Sequence, residues 1–229
     1  MNPLCLALDT TDEALVDGLV RATRSHVGVF KVGATTFAAL GPPLVARLAA
    51  SDPVFCDLKL NDIPSQIEGA VSALGELGAT YATVHALGGA DMVRAAVKAA
   101  PAGLNILGVT ILTSLEEADL AVLGIAGPVS EAVIRLAEVA LESGASGLVC
   151  SGKEVASLRE RFGPVSKGGP LLVVPGIRLE GGREGDQQRT SGPRAAIDAG
   201  ADLIVVGRPI TGAPDPRAAA RAILAQLNA

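Results

Sequence analysis

Eight apolar runs begin near Leu4, Gly28, Pro53, Thr80, Leu104, Gly147, Leu171 and Asp202, and each is followed by a segment with helical periodicity or good helix formers. Most repeats of this unit take roughly 25 residues, with a longer one between the fifth and sixth runs, and that spacing suits strands joined by crossover helices. Strands connected this way lie parallel, and eight of them predict an α/β chain whose sheet closes into a (β/α)8 TIM barrel. An internal echo supports the count. Leu77-Gly-Ala79, Ser143-Gly-Ala145 and Ala199-Gly-Ala201 each end a helix ahead of strands four, six and eight, with Gly as the terminator. The competing arrangement is an open doubly wound sheet. Its dinucleotide-binding version needs Gly-x-Gly-x-x-Gly after the first strand, where this chain has Leu8-Asp-Thr-Thr11. No Pro/Gly/Ser-rich break is long enough to be a linker, so the 229 residues are expected to form one barrel domain, 1–229.

Composition narrows the function. The net charge is −5 and the charged residues are scattered, with no Trp, one Tyr and four Phe, so neither a basic stripe nor a stacking platform for nucleic acid is expected. Cys5, Cys56 and Cys150 are odd in number, lie in apolar runs and lack metal-ligand spacing. They read as reduced core residues, and no metal site is expected from them. No basic n-region leads into an apolar h-region at the N-terminus and no run reaches membrane-spanning length, so the expectation is a soluble, cytoplasmic protein without membrane contact.

Charged side chains gather at the carboxyl ends of the predicted strands. In the stretch from Val54 to Pro64, strand alternation puts Asp57 and Lys59 on one face with Phe55, and Cys56 and Leu58 on the other. Asp62 falls just past the strand, before an Ile63-Pro64 that opens the next helix. In strand one, large residues suit the helix-facing side, so Leu4, Leu6 and Leu8 point outward while Cys5, Ala7 and Asp9 point inward. The same logic sends Phe30 and Val32 outward in strand two and turns Val29 and Lys31 inward. Asp9, Lys31, Asp57 and Lys59 therefore converge, with alternating sign, on the barrel mouth, where enzymes of this architecture keep their active sites. Buried charges are tolerable only when paired or functional.

Strand four puts Thr83 and His85 on one face. His85 could be a base, a metal ligand or a hydrogen-bonding neighbour, whereas His26, beside Arg24 and Ser25, reads as solvated. After strand five, Thr113 and Ser114 suit hydrogen bonding to a planar polar substrate, and equally suit a helix N-cap. Strand seven leads into Pro175-Gly-Ile-Arg178 and strand eight into Gly207-Arg208-Pro-Ile-Thr211. Loops at these two positions form the usual phosphate site of such barrels, and Arg178 and Arg208 add forked charged donors. The Gly-rich segment 179–194 suits a lid over that phosphate.

With these residues in place, the chain resembles the orotidine 5'-monophosphate decarboxylases over essentially its whole length. The matching pieces are Ala7-Leu-Asp9, Phe30-Lys-Val32, Asp57-Leu-Lys59 with Asp62-Ile-Pro64, Val84-His85 with Gly88-Gly89, Leu112-Thr-Ser114, Pro175-Gly-Ile-Arg178, Gly185-Asp-Gln187 and Gly207-Arg208-Pro-Ile-Thr211. The resemblance implies conversion of orotidine 5'-monophosphate to UMP and carbon dioxide in pyrimidine biosynthesis, with no cofactor and no metal. It implies that Lys59 is the proton donor, flanked by Asp57 and by an Asp62 arriving from the other subunit of a homodimer. It also implies that Asp9 and Lys31 hold the ribose hydroxyls, that Thr113 meets the pyrimidine, and that Arg178, Gln187 and Arg208 hold the phosphate. Ile63, Pro175 and Gly207 join the substrate-binding set through the same motifs. The family usually reads Asp-Ile-Pro-Asn-Thr, and this chain departs from it with Ser65-Gln66 after Pro64. Magnesium-dependent 3-keto-sugar-phosphate decarboxylases and hexulose-phosphate synthases share Asp-x-Lys-x-x-Asp but look for a carboxylate where this chain has Lys31. A third reading, a nucleotide-binding barrel without chemistry, has no need of a buried Asp57, Lys59 and Asp62.

Overall fold

The computed structural model describes residues 2–177 and 192–228. The first half of the chain runs β1 (Leu4–Ala7), α1 (Glu13–Thr23), β2 (Val29–Gly33), α2 (Ala34–Ala49), β3 (Val54–Leu60), α3 (Pro64–Glu76), β4 (Tyr81–His85) and α4 (Gly89–Ala99). The second half runs β5 (Asn105–Val109), α5 (Glu117–Val122), α6 (Val129–Glu142), β6 (Gly147–Val149), α7 (Val155–Phe162), β7 (Leu171–Val174), α8 (Pro193–Asp198), β8 (Leu203–Val206), α9 (Arg208–Thr211) and α10 (Pro216–Asn228). All eight strands are parallel and pair in sequence order into a closed barrel, β8 returning to β1 through Cys5 opposite Val205. The predicted strands are thus all present. The longer unit between β5 and β6 carries two helices, α5 and α6, instead of one.

Alternation sorts the strand residues into two apolar layers. Cys5, Ala7, Val29, Phe55, Tyr81, Leu107, Val109, Val149, Val173, Leu203 and Val205 fill the barrel interior. Leu4, Leu6, Leu8, Phe30, Val32, Val54, Cys56, Ala82 and Val84 belong to the larger layer between sheet and helices. Inside, the rings of Phe55 and Tyr81 meet edge to face with centroids 6.2 Å apart, a favoured aromatic geometry. They form the floor beneath the next inward-facing residues of β3 and β4. The three free cysteines are all buried, Cys5 inside the barrel and Cys56 in the outer layer.

Helix ends follow the glycine echo. Gly78, Gly144 and Gly200 have φ of 82°, 95° and 108°, and the next residue in each case bonds back to a helix carbonyl: Ala79 to Leu74, Ala145 to Ala140, Ala201 to Ala196. This is the six-to-one closure for which glycine avoids a Cβ penalty. At the amino-terminal end of β8, Arg159 of α7 bonds the carbonyls of Gly200, Gly163 and Pro170 and the carboxylate of Asp202, tying α7 to the entries of β7 and β8. Among the described residues, no helix is long and apolar enough to cross a membrane.

Candidate active site

The site is organised by a break in the sheet. β3 and β4 run in register through Phe55–Tyr81 and Cys56–Ala82, and the next matched pair is Leu60–Val84. Asp57, Leu58 and Lys59 therefore face Thr83 alone. The strand absorbs the surplus by turning Lys59 into the left-handed region at φ 50°, where it is the one non-glycine residue with positive φ among those described. Such a conformation costs on the order of 1 kcal/mol and persists only where the surroundings impose it. Here Thr83 meets the turned backbone. The Lys59 N–H donates to Thr83 Oγ1 at 2.8 Å, and that hydroxyl donates onward to Asp57 Oδ1 at 3.2 Å. The Lys59 ammonium then folds back to the same carboxylate, with Nζ 2.8 Å from Asp57 Oδ1. Asp57 and Lys59 share the inner side of the barrel as alternation predicts, but the bulge that presses them together is absent from a simple strand pattern.

A second lysine extends the network. Lys31 comes from the inner face of β2 and places Nζ 3.5 Å from Asp57 Oδ2 and 3.0 Å from Asp9 Oδ1. Asp9 lies two residues past β1, in a turn pinned by Thr36. The buried Thr36 hydroxyl donates to the Leu8 carbonyl at 2.6 Å and accepts the Thr10 N–H at 3.2 Å. Gly33 makes room for the pair: a Cβ there would stand 2.8 Å from Asp9 Oδ1 and 3.0 Å from Lys31 Nζ.

The result is a chain of alternating charge, Asp9–Lys31–Asp57–Lys59, dry at its centre and wet at its ends. The side chains of Lys31 and Asp57 are 9% and 10% exposed, against 55% for Asp9 and 36% for Lys59. Burial alone would push the Asp57 carboxyl up. The ammoniums of Lys31 and Lys59 and the hydrogen bonds from Lys59 and Thr83 outweigh it and hold Asp57 below the usual carboxylate range. Burial likewise works against the Lys31 ammonium, and the charges of Asp57 and Asp9 more than offset it, so its pKa is raised. His85, two residues beyond Thr83 on β4, is held below its usual value by burial first and by the Lys59 ammonium second, against a smaller pull from Asp57. It is a neutral imidazole at neutral pH. Its Nδ1 is buried without a hydrogen-bond partner among the described residues.

The remaining predicted residues are distributed around the mouth. Asp62 follows β3, is exposed, and accepts the N–H of Ile63 at 2.7 Å; within the chain, among the described residues, it forms no ion pair with Lys59. Ile63 is itself exposed. Thr113 is half-buried between β5 and α5. Neither it nor Ser114 is the N-cap of α5, because that position belongs to Glu116, whose N–H is taken by Asp119 at 2.9 Å. The capping alternative is thereby corrected: an acidic capping box occupies the position two residues further on. Pro175 is half-buried after β7, while Gly207 precedes α9, whose first residue, Arg208, is exposed. Arg178, Gln187 and most of the segment read as a lid, 179–191, lie outside the described residues. The sequence reading assigned no part in the site to Thr83, Gly33 or Thr36. Thr83 sits two residues before His85 on an inward face and could have been found by that spacing, whereas nothing local marks Gly33 or Thr36.

Known proteins resemble the chain throughout. The family described as "Orotidine 5'-phosphate decarboxylase / HUMPS family" matches residues 2–223. A protein of Anaeromyxobacter dehalogenans named orotidine 5'-phosphate decarboxylase is 53% identical, covering 98% of this chain and 97% of its own. One of the same name from Thermobifida fusca is 48% identical over 99% of this chain and 96% of its own. Among solved structures, orotidine 5'-phosphate decarboxylase from Lactobacillus acidophilus superposes with a TM-score of 0.86 at 36% identity, covering 100% of both chains. The enzyme of that name from Pyrococcus horikoshii gives 0.79 at 27% identity, covering 99% of both. A closed barrel, a full-length family match and relatives near half identity lead to one conclusion: the chain is an enzyme of the orotidine 5'-phosphate decarboxylase / HUMPS family.

Proposed function

We propose that the protein decarboxylates orotidine 5'-monophosphate to UMP without a cofactor, with Lys59 as the proton donor. The observation that carries this is the Lys59 ammonium held 2.8 Å from a nearly dry Asp57 at the barrel mouth. Loss of carbon dioxide leaves a carbanion at C6 of the pyrimidine with no conjugated sink. A fixed ammonium meets both needs of that step. Its charge is preorganised where the carbanion forms, and its proton then completes the new C6–H bond. Asp57 accepts the hydrogen bond that aims Nζ.

Asp9 and Lys31 are assigned to the ribose hydroxyls, Thr113 to the pyrimidine, and Arg178, Gln187 and Arg208 to the phosphate. Ile63, Pro175 and Gly207 are assigned to substrate binding. Phosphate binding far from C6 can drive closure over the substrate and so contribute to the chemical step. Asp62 is assigned to the site of a second copy in a homodimer. Its exposure, together with that of the neighbouring Ile63 and of Leu87 after β4, supports a partner covering this rim. The proposal includes one domain over residues 1–229 and a place in the cytoplasmic synthesis of UMP.

Lys31 favours this reading over a magnesium-dependent sugar-phosphate reaction, because its ammonium, paired with Asp9 and Asp57, stands where the enzymes of that reaction look for a carboxylate. The test is loss of orotate-ring absorbance by purified protein in excess chelator. Turnover is expected to persist there, and Lys59→Ala is expected to lose more than about 10⁴-fold in kcat while still binding UMP. Turnover by Lys59→Ala comparable to the parent removes Lys59 from this role, and arrest by chelator returns the magnesium reading.

A further inference from the structure

We propose that Thr83 is a positioning residue for the reaction: its hydroxyl closes the gap left by the β3 bulge and locks the backbone of Lys59 to the carboxylate that holds its ammonium. The inference rests on the role given to Lys59 above. Successive N–H groups of a parallel strand alternate between its two neighbours, so a regular β3 would turn the N–H of Lys59, like that of Asp57, toward the β2 side. With three residues of β3 opposite one of β4, that alternation is broken, and the N–H goes instead to Thr83 Oγ1 at 2.8 Å.

A hydroxyl has one hydrogen to give and room to accept. Thr83 spends its hydrogen on Asp57 Oδ1 at 3.2 Å, the same oxygen that receives Lys59 Nζ at 2.8 Å. The backbone, the hydroxyl, the carboxylate and the ammonium thus form a closed ring of contacts, in which the two ends of Lys59 are referred to one atom. Thr83 is fully buried, so water cannot take over either bond. Its methyl group and β-branched side chain meet the ordinary needs of a strand, which valine would meet equally well. The hydroxyl is therefore the part with no packing purpose. Since Lys59 is strained at φ 50°, loss of its N–H partner lets the residue relax and carries Nζ away from where a proton must be delivered.

The experiment compares Thr83→Val, Thr83→Ser and Lys59→Ala in the full-length protein, measuring kcat, KM and UMP affinity. Thr83→Val is expected to lose about a hundredfold in kcat, the scale of an ångström of misplacement, with KM and UMP affinity within about threefold of the parent. Thr83→Ser restores the hydroxyl and is expected to return kcat to within about fivefold of the parent. If Thr83→Val does not fold, Thr83→Ala, which fits without strain, takes its place with the same expectation. A Val or Ala variant with parental kcat overturns the proposal, as does a loss confined to KM or a Ser variant as slow as Val. If Lys59→Ala is inactive while Thr83→Val is normal, only the role of Thr83 fails. If Lys59→Ala itself turns over normally, the underlying reading of Lys59 fails.

Discussion

Lys31 and Asp57, both nearly dry, lie 3.5 Å apart and keep each other charged against the burial that disfavours each. The Asp57 carboxyl is depressed, so its contribution to stability is fully present above about pH 4 and is lost as pH falls through its folded value. The Lys31 ammonium is raised, so its contribution is present below about pH 10 and is lost as pH rises through its folded value. Asp57→Asn leaves Lys31 with only the wetter Asp9. The variant is expected to be less stable by about 3 kcal/mol at neutral pH, and because a lowered folded value for Lys31 leaves less stability to lose above about pH 10, the parent's Tm advantage should narrow on the alkaline side. A Tm advantage that stays constant through the alkaline range would mean that Lys31 does not depend on Asp57 for its charge.

Gly33 offers a way to disturb one end of the network and leave the other intact. An added Cβ would stand 2.8 Å from Asp9 Oδ1 and 3.0 Å from Lys31 Nζ, and of these two ends the half-exposed Asp9 carboxylate has solvent to turn into. Gly33→Ala should therefore keep a Tm within a few degrees of the parent and raise KM about tenfold, the equivalent of one weakened hydrogen bond to a charged group. Steady-state kinetics beside calorimetry would check it, and an unchanged KM would take Asp9 out of the substrate site.

Asp62 and Lys59 can be tested as partners across an interface by mixing inactive subunits. If each site takes Lys59 from one copy and Asp62 from the other, random exchange between Lys59→Ala and Asp62→Ala proteins rebuilds about a quarter of the native sites. If both residues act within one copy, no site is rebuilt and the mixture stays as inactive as its components.

The architecture was legible because its signals are periodic. Eight apolar runs, the outward Leu4, Leu6 and Leu8 against inward Cys5 and Ala7, and the glycine stops at 78, 144 and 200 all repeat at spacings that one dimension preserves. The convergence of Asp9, Lys31, Asp57 and Lys59 followed from the same alternation. What stayed hidden was aperiodic. Three residues of β3 sit against one of β4 because of a local choice of backbone angle at Lys59, and no pattern of side chains announces it. Gly33 likewise acts through the absence of a side chain beside atoms from another strand, and the N-cap of α5 fell to Glu116 because an acid three residues later could answer its N–H.

The three buried cysteines give the molecule a built-in reporter of its own opening. Burial pushes the Cys56 thiol up to about 12 and raises that of Cys5 further, so at neutral pH almost none of the nucleophilic thiolate exists while the barrel stays shut. Alkylation of Cys5, beneath the charged mouth, requires the sheet to part, whereas labelling of Cys56 needs only the helical layer to lift from β3. The ratio of the two labelling rates would therefore separate peeling of the outer shell from rupture of the cylinder.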